Sequence, residues 1–424
     1  MEKTTKRRFT LQFPYALMMA INFGFIAFAF VLDSPINIFH GLIRILTSQT
    51  ILVTDFIAVG GVSATLVNVA LVGIFSIIML VLSGAKPSGA TIMALWVTAG
   101  FAFFGKNVYN MIPLTTGVWL YSRYRKEPFS NFALASLLVA TLSPVVSEMS
   151  FLGVFSAPLE IAIGILFGFG IGFIFPAVSA HMVRMHSGYD LYSMGFAGGL
   201  IAMIIATTTN AMGFDVLPVS IWSYGNNIVM AILLYTCSAT LILCGIFVGD
   251  PKKNLSEFKK FFSHSGRLIT DFFFLYKNSI YINMGILCAF ATSVTLLIGA
   301  ELNGIAAAGI FTMVGFGCFG KHMKNVPPIL AGAILSAFLN KWDFTAPAQV
   351  AAILFSAALA PIAGQFGWAI GIVAGFLHVS VAMHVGELCG GLNLYNNGFA
   401  AGFIAMFLLP IITISERMRK KHED

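Results

Sequence analysis

Residues 100–107 read "GFAFFGKN", the G-x-x-x-x-G-K spelling of a phosphate-binding loop without its closing hydroxyl residue. Residues 315–322, "GFGCFGKH", spell almost the same thing again. A phosphate loop needs a strand before it, a helix after it, water around it and a Ser or Thr on the metal. Asn107 and His322 stand at the hydroxyl position, and the flanks are apolar. Nucleotide chemistry therefore does not fit. What remains is a lysine, Lys106 or Lys321, set at a break between two apolar segments, in each half of the chain.

The residues after each lysine continue the pattern. Gly105 reads as a helix breaker with Lys106 beside the last carbonyls, Asn110 as an N-cap and Pro113 as a first-turn proline. Asn325 and Pro328 repeat this. The stretch predicts a helix–break–helix hairpin whose second arm, near 110–121, spans about 18 Å at 1.5 Å per residue. A hydrocarbon core is roughly 30 Å thick, so the hairpin reads as re-entrant, with its lysine at depth. A lysine there is expensive unless paired or hydrated, which marks a functional site. The competing reading is a hairpin that crosses fully, with each lysine snorkelling to an interface.

Further ionisable residues recur by position. His181 and His384 close the sixth apolar element of each half and are candidates for proton-linked gating, or else ordinary interfacial histidines. Glu148 stands where the second half has Gln365, Asp190 where it has Asn393, and Arg184 where it has Glu387. The first half thus keeps acids that could serve the lysines as counter-ions or a proton route. The breaks "HSGYDLYSMG" and "CGGLNLYNNG" place Asp190 and Asn393 at equivalent helix starts, with Asn396 and Asn397 adding polar groups. His181 and His186 are five residues apart, poor spacing for one metal on one helical face, and the five cysteines form no CxxC. No metal and no cofactor are expected.

The elements that position these residues follow from composition. The chain has 424 residues, 58% hydrophobic and 10% charged, where soluble domains carry roughly a quarter charged. Apolar runs near 20 residues recur throughout, so the fold class is an all-α polytopic membrane protein. The net charge of +7 sits at the ends and in a few loops, which is membrane orientation bias and not a nucleic-acid footprint. The basic start and first long apolar stretch read as a retained transmembrane helix.

The chain is written twice. Residues 100–117 and 315–332 match at eight of eighteen positions, and 191–203, "LYSMGFAGGLIAM", match 394–406, "LYNNGFAAGFIAM", at nine of thirteen. "LVTDF" (52–56) echoes "LITDF" (268–272), and "LSPVVSE" (142–148) echoes "LAPIAGQ" (359–365), in the same order. The boundary near 220 divides the chain into repeats 1–220 and 221–424. Seven elements are expected in each: near 12–32, 62–83, 89–105, 109–122, 130–148, 158–181 and 190–212, then near 228–248, 279–299, 303–320, 325–340, 347–365, 366–385 and 393–414. The "GFAGGLIAM" and "GFAAGFIAM" faces suit close helix packing.

An odd number of elements inverts one half against the other. Charge agrees: "KTTKRR", "SRYRKEP" (122–128), "DPKKNLSEFKK" (250–260) and "ERMRKKHED" fall on one side, while loops 33–61 and 213–227 carry one Lys or Arg between them, Arg44. Both termini are therefore expected in the cytoplasm of an inner or plasma membrane. Inverted repeats typify transporters and channels, with the solute site near the midplane.

"LYNNGFAAGFIAM" resembles the Leu-Tyr-Gly-Phe-Asn stretches that open a helix in each half of bacterial urea transporters. That resemblance covers some 15 residues per half and implies inverted duplication around a pore with re-entrant half-helices. The Asn here precedes the Gly-Phe, and the Gln-containing pore motif is missing, so no urea-binding residue transfers. More broadly the chain resembles an uncharacterised family of bacterial polytopic membrane proteins, which implies no function.

The reading is a transporter or channel for a small polar solute, either a small anion such as a carboxylate or a urea-like amide. Lys106, Lys321, Asn107, His322, Asn110 and Asn325 are the candidate solute-binding residues; His181, His384, Glu148 and Asp190 are the candidate gating or proton-linked residues. The partners expected are the solute and the lipid bilayer, with no nucleic acid and with self-association into a homo-oligomer left open. No HExxH, GxSxG or carboxylate cluster at helical spacing is present, so an enzyme is not expected. The alternatives are a membrane-embedded enzyme acting on a lipid-linked substrate and a structural or sensory membrane protein.

Overall fold

A computed structural model describes residues 12–50, 53–213, 220–268 and 270–423. It is nearly all helix. The N-terminal "KTTKRR" flank, residues 214–219 of the 213–227 loop, and Leu52 and Ile269 of the two "TDF" echoes lie outside the described residues.

Among the described residues, ten helical stretches are long and apolar enough to cross a membrane. Their bounds follow the sequence expectation closely, from Phe13–Leu32 and Val62–Ser83 to Trp368–Leu388. Two of the ten are composite. Phe129–Ser150 and Pro347–Phe366 each contain a short 3-10 turn, at Val139–Leu142 and at Ser356–Leu359. The chain continues as Ser143-Pro144 and Ala360-Pro361, and a proline there removes one ladder donor.

Four shorter apolar helices complete the picture: Pro35–Leu46, Gly89–Phe101, Gly304–Phe316 and Val326–Leu339. Gly89–Phe101 and Gly304–Phe316, 13 residues each, are about 20 Å long, short of a full span. They pack against each other. A Cβ on Gly100 would meet Phe311 and Ala308, and one on Gly315 would meet Met93 and Trp96, so the two helices run antiparallel. Both are buried along their length, apart from the half-buried Ala90.

The return arms differ from expectation. The first runs Val108–Tyr124, 17 residues against the dozen expected: Asn107 and not Asn110 is its N-cap, and it continues past 121 to Tyr124. Asn107 accepts from the Asn110 N–H at 2.9 Å, and Asn110 accepts from the Asn107 N–H at 3.0 Å, a reciprocal capping box. Pro113 consequently lies inside the helix and not in its first turn. The second arm, Val326–Leu339, starts at Asn325 with proline in its first turn.

The expected loops 33–61 and 250–278 contain helices of their own. Ser34 caps Pro35–Leu46, whose Ile36, Phe39 and Ile43 are exposed, as in a helix lying in an interface. Asp55 and Asp271 cap the short helices Phe56–Gly60 and Phe272–Tyr276. Each of these aspartates also caps a short helix of the opposite half. Asp55 accepts from the Gly304 N–H at 3.2 Å, and Asp271 accepts from the Gly89 N–H at 2.9 Å. Asp55 also accepts from the Ser223 N–H (2.9 Å) and Oγ (2.7 Å) and the Ile57 N–H (2.9 Å). A helix N-terminus leaves N–H groups without intrahelical partners, and a carboxylate both accepts from them and suits the dipole.

Candidate functional site

The breaks after the two short helices are built alike. Gly105 (φ +80°) and Gly320 (φ +108°) turn the chain through the left-handed region that favours glycine. The next N–H then closes back on the helix: Lys106 to the Phe101 carbonyl at 3.2 Å, Lys321 to the Phe316 carbonyl at 2.9 Å. Buried asparagines hold the freed carbonyls. Asn68 Nδ2 donates to Ala102 O (2.8 Å) and Lys106 O (2.9 Å), and Asn283 Nδ2 to Gly317 O (2.6 Å) and Lys321 O (2.7 Å). Asn110 Nδ2 donates to Gly105 O and Asn325 Nδ2 to Gly320 O, both at 2.9 Å. Helices, not strands, flank "GFAFFGKN" on both sides, so the segment is no phosphate loop.

Both lysines are fully buried, with 0% of their surface exposed, and neither snorkels to an interface. Lys106 Nζ donates to the hydroxyl of Tyr395, and Lys321 Nζ to the hydroxyl of Tyr192. Each lysine thus reaches a tyrosine of the other half. Phe101 and Phe316 lie 5.5 and 5.1 Å from the respective ammonium groups, within cation–π range. The tyrosine centroids are nearer, at 4.7 and 4.4 Å, but an ammonium bonded to the hydroxyl sits at the ring edge, so there the hydrogen bond is the attraction.

The tyrosines are aimed by the breaks that precede Ser193–Ala211 and Asn396–Glu423. Leu191 N–H donates to Ala358 O at 3.0 Å, and Leu394 N–H to Thr141 O at 2.9 Å, pinning each break to a composite helix. Asp190 Oδ1 accepts from the Tyr192 N–H at 2.8 Å, and Asn393 Oδ1 from the Tyr395 N–H at 3.1 Å. The equivalence ends at charge. Asp190 is an ionisable acid and Asn393 is not, and among the described residues neither lysine forms an ion pair.

Tyr192 and Tyr395 line a cavity of about 250 Å³ between the halves, together with Phe101, Phe316 and Phe355. Its few polar side chains include Ser193, Thr312 and Asn397, and Thr312 Oγ1 has no hydrogen-bond partner among the described residues. A second cavity of about 180 Å³ shares Phe355, Leu394 and Asn397 with the first and continues to Asn393, Asn396 and Glu387.

The ten candidates divide clearly. Lys106, Lys321, Asn107, Asn110, His322 and Asn325 gather at the two breaks, but none lines either cavity. His322 Nε2 contacts His264 O at 2.9 Å, and Asn107 Nδ2 donates to Ile45 O at 3.3 Å, so these groups are engaged in holding the breaks. Asp190 is buried beside Tyr192, with Oδ2 unpartnered among the described residues. Glu148 is buried, and among the described residues its Oε2 is also unpartnered and it forms no ion pair. His181 and His384 are exposed, line neither cavity, and His384 lies 5.3 Å from the Trp342 ring.

Three features escaped the sequence reading. Tyr192 and Tyr395 were in plain sight as identical residues of the "LY" match, which reads as helix packing. Asn68 and Asn283 share the lysines' offset, but their helices match otherwise only at Phe75/Phe290 and Leu82/Leu297, too sparsely to single them out. His378, buried and 3.1 Å from Asn397 Oδ1, has no histidine counterpart in the first half.

A helical, polytopic membrane protein with a buried polar core at the junction of its halves is the class this architecture defines. The chain belongs to the family described as "Protein of unknown function (DUF1576)", which it matches over residues 34–211 and 250–414. No curated protein and no solved structure matches it, so the local likeness to urea transporters gains no support.

Proposed function

We propose that this protein carries a small polar solute across an inner or plasma membrane, through the junction of two oppositely oriented halves, with both termini in the cytoplasm. The observation that carries the reading is the pair of fully buried lysines, each bonded to a tyrosine of the other half, the two tyrosines walling one cavity. A buried ammonium costs several kcal/mol, and packing alone gives no reason to bear that cost twice.

The orientation of the halves has two supports. Equivalent short helices pack antiparallel. The exchanged caps also join segments that charge bias puts on one side: Asp55 with Gly304 outside, Asp271 with Gly89 inside. The short helices then enter from opposite faces and meet at mid-depth, the arrangement in which irregular backbone is tolerated inside a bilayer.

The two cavities form the passage, with Phe355 and Leu394 at the narrowing between them. An ammonium is a donor only, so each tyrosine oxygen accepts from its lysine. The hydroxyl proton is thereby left for a solute acceptor. Carbonyl and carboxylate oxygens both answer that requirement, which fits a urea-like amide or a small carboxylate.

The test is solute uptake by proteoliposomes, comparing small carboxylates, urea and ammonium, for wild type, Lys106→Ala and Lys321→Ala. Uptake above that of protein-free vesicles for at least one solute, lost in both variants, supports the reading. Uptake that survives both substitutions at the wild-type rate rejects the site.

A further inference from the structure

The two cavities share Phe355, Leu394 and Asn397, and of these only Asn397 carries a polar side chain. A solute crossing the narrowing between them therefore meets one side-chain amide there. Asn397 is half-buried, at the start of the helix Asn396–Glu423. Its Oδ1 lies 3.1 Å from Nε2 of His378, on the helix Trp368–Leu388. Its Nδ2 forms no hydrogen bond among the described residues. His378 is fully buried and lines neither cavity, so it reaches the passage only through Asn397.

Hydrogen-bond chemistry decides which edge of the amide is free. An amide oxygen only accepts, so His378 Nε2 carries the ring proton and Nδ1 is a bare lone pair. Nδ1 has no partner among the described residues. The reversed amide would set Nδ2 against Nε2 and move the ring proton to Nδ1, leaving a buried N–H without an acceptor. As with backbone groups, that is a rarer defect than an idle acceptor. The histidine therefore holds the oxygen and leaves the two N–H groups of Asn397 available.

Packing does not demand this pair. In the register that sets Tyr192 against Tyr395, the first half has Phe175 and Met194 at the same two positions, with Phe175 fully buried. An apolar pair fills the equivalent place.

We infer that Asn397 is the selectivity residue of the narrowing, donating its free N–H groups to an oxygen of the solute, and that His378 is a positioning residue that keeps this donor edge toward the passage. This rests on the transport reading above and narrows its solute class. The solute carries a carbonyl or carboxylate oxygen, and a solute of the same size that offers only N–H donors is refused. A donor facing a donor leaves both unpaired, and Phe355 and Leu394 supply no second polar side chain to compensate.

Uptake of urea, lactate and guanidinium by proteoliposomes tests this, because guanidinium has the planar shape of urea with an N–H donor group in place of the oxygen. Wild type is expected to take up urea, lactate or both at least about 10-fold faster than guanidinium. Urea alone marks a neutral amide as the solute, lactate alone a carboxylate, and either supports the inference. Asn397→Leu and the near-isosteric Asn397→Asp are each expected to lower that uptake about 10-fold. His378→Phe frees the amide to turn and is expected to narrow the preference over guanidinium; His378→Gln, which can still donate to Asn397 Oδ1, is expected to restore it. Guanidinium uptake as fast as that of the oxygen-bearing solutes in wild type overturns the inference and leaves the transport reading standing. So does an unchanged rate in either Asn397 variant, or an unchanged preference in His378→Phe. A preference as narrow in His378→Gln as in His378→Phe overturns the positioning role. Uptake of none of the three by wild type overturns both the inference and the transport reading.

Discussion

Lys106 and Tyr395 lie 289 residues apart in the chain and share a hydrogen bond in its buried interior. Lys321 and Tyr192 make the matching bond from the other direction. Each half therefore supplies the cation to one pair and the aromatic hydroxyl to the other. Neither half can assemble a complete pair alone, so the site exists only where the halves meet.

Neither buried lysine has an ion-pair partner among the described residues, which predicts similar stability effects for equal substitutions. Lys106→Met and Lys321→Met each remove a buried cation and its one hydrogen bond to a tyrosine, and should leave stability within about 1 kcal/mol of wild type or raise it. Thermal unfolding of both variants in detergent checks this. A loss of about 3–5 kcal/mol in Lys321→Met alone would mean that Asp190 compensates Lys321.

The exchanged caps predict a coupling between the halves. Asp55→Ala removes the acceptor for three backbone N–H groups and one hydroxyl, and should destabilise by about 2–4 kcal/mol. Asp271→Ala removes the acceptor for the N–H groups of Gly89 and Phe274 and should cost about half as much. Hydrogen exchange should rise at the start of Gly304–Phe316 in the first variant and of Gly89–Phe101 in the second. Exchange raised only near the substituted residue would contradict the cross-half cap.

Close helix packing predicts where a single methyl group is not tolerated. A Cβ on Gly332 or Gly375 would stand 1.9 Å from the carbonyl oxygen of Ile372 or Ile329. Either Gly→Ala change forces the helices Val326–Leu339 and Trp368–Leu388 apart and should cost about 1–3 kcal/mol or more. Gly24→Ala, with nothing within 4 Å, should be neutral to stabilising in its helix. Unfolding midpoints of the three variants decide this.

Much of this architecture is legible in the sequence, for identifiable reasons. Long apolar runs fix the spanning helices, and a glycine followed by lysine, then asparagine and proline, marks each break. Both lysines are where a repeated "GK" put them. The cap of the first return arm is misassigned because Asn107 and Asn110 are both competent caps, and only the reciprocal geometry shows which residue begins the helix. The tyrosines are missed because a partner across the halves leaves no local spacing to read. Repetition also overvalues His181 and His384: a position that recurs need not face the junction, and both of these face outward.

The central claim is that the cavity walled by Tyr192 and Tyr395 is the solute's route, and the most direct measurement is uptake by proteoliposomes bearing Tyr192→Phe together with Tyr395→Phe. The double change keeps both rings and removes both hydroxyls. If the protein remains monodisperse, uptake of the transported solute should fall about 100-fold, as expected for the loss of two hydrogen bonds to a charged or strongly polar group. Uptake at the wild-type rate by a correctly folded double variant would contradict the account.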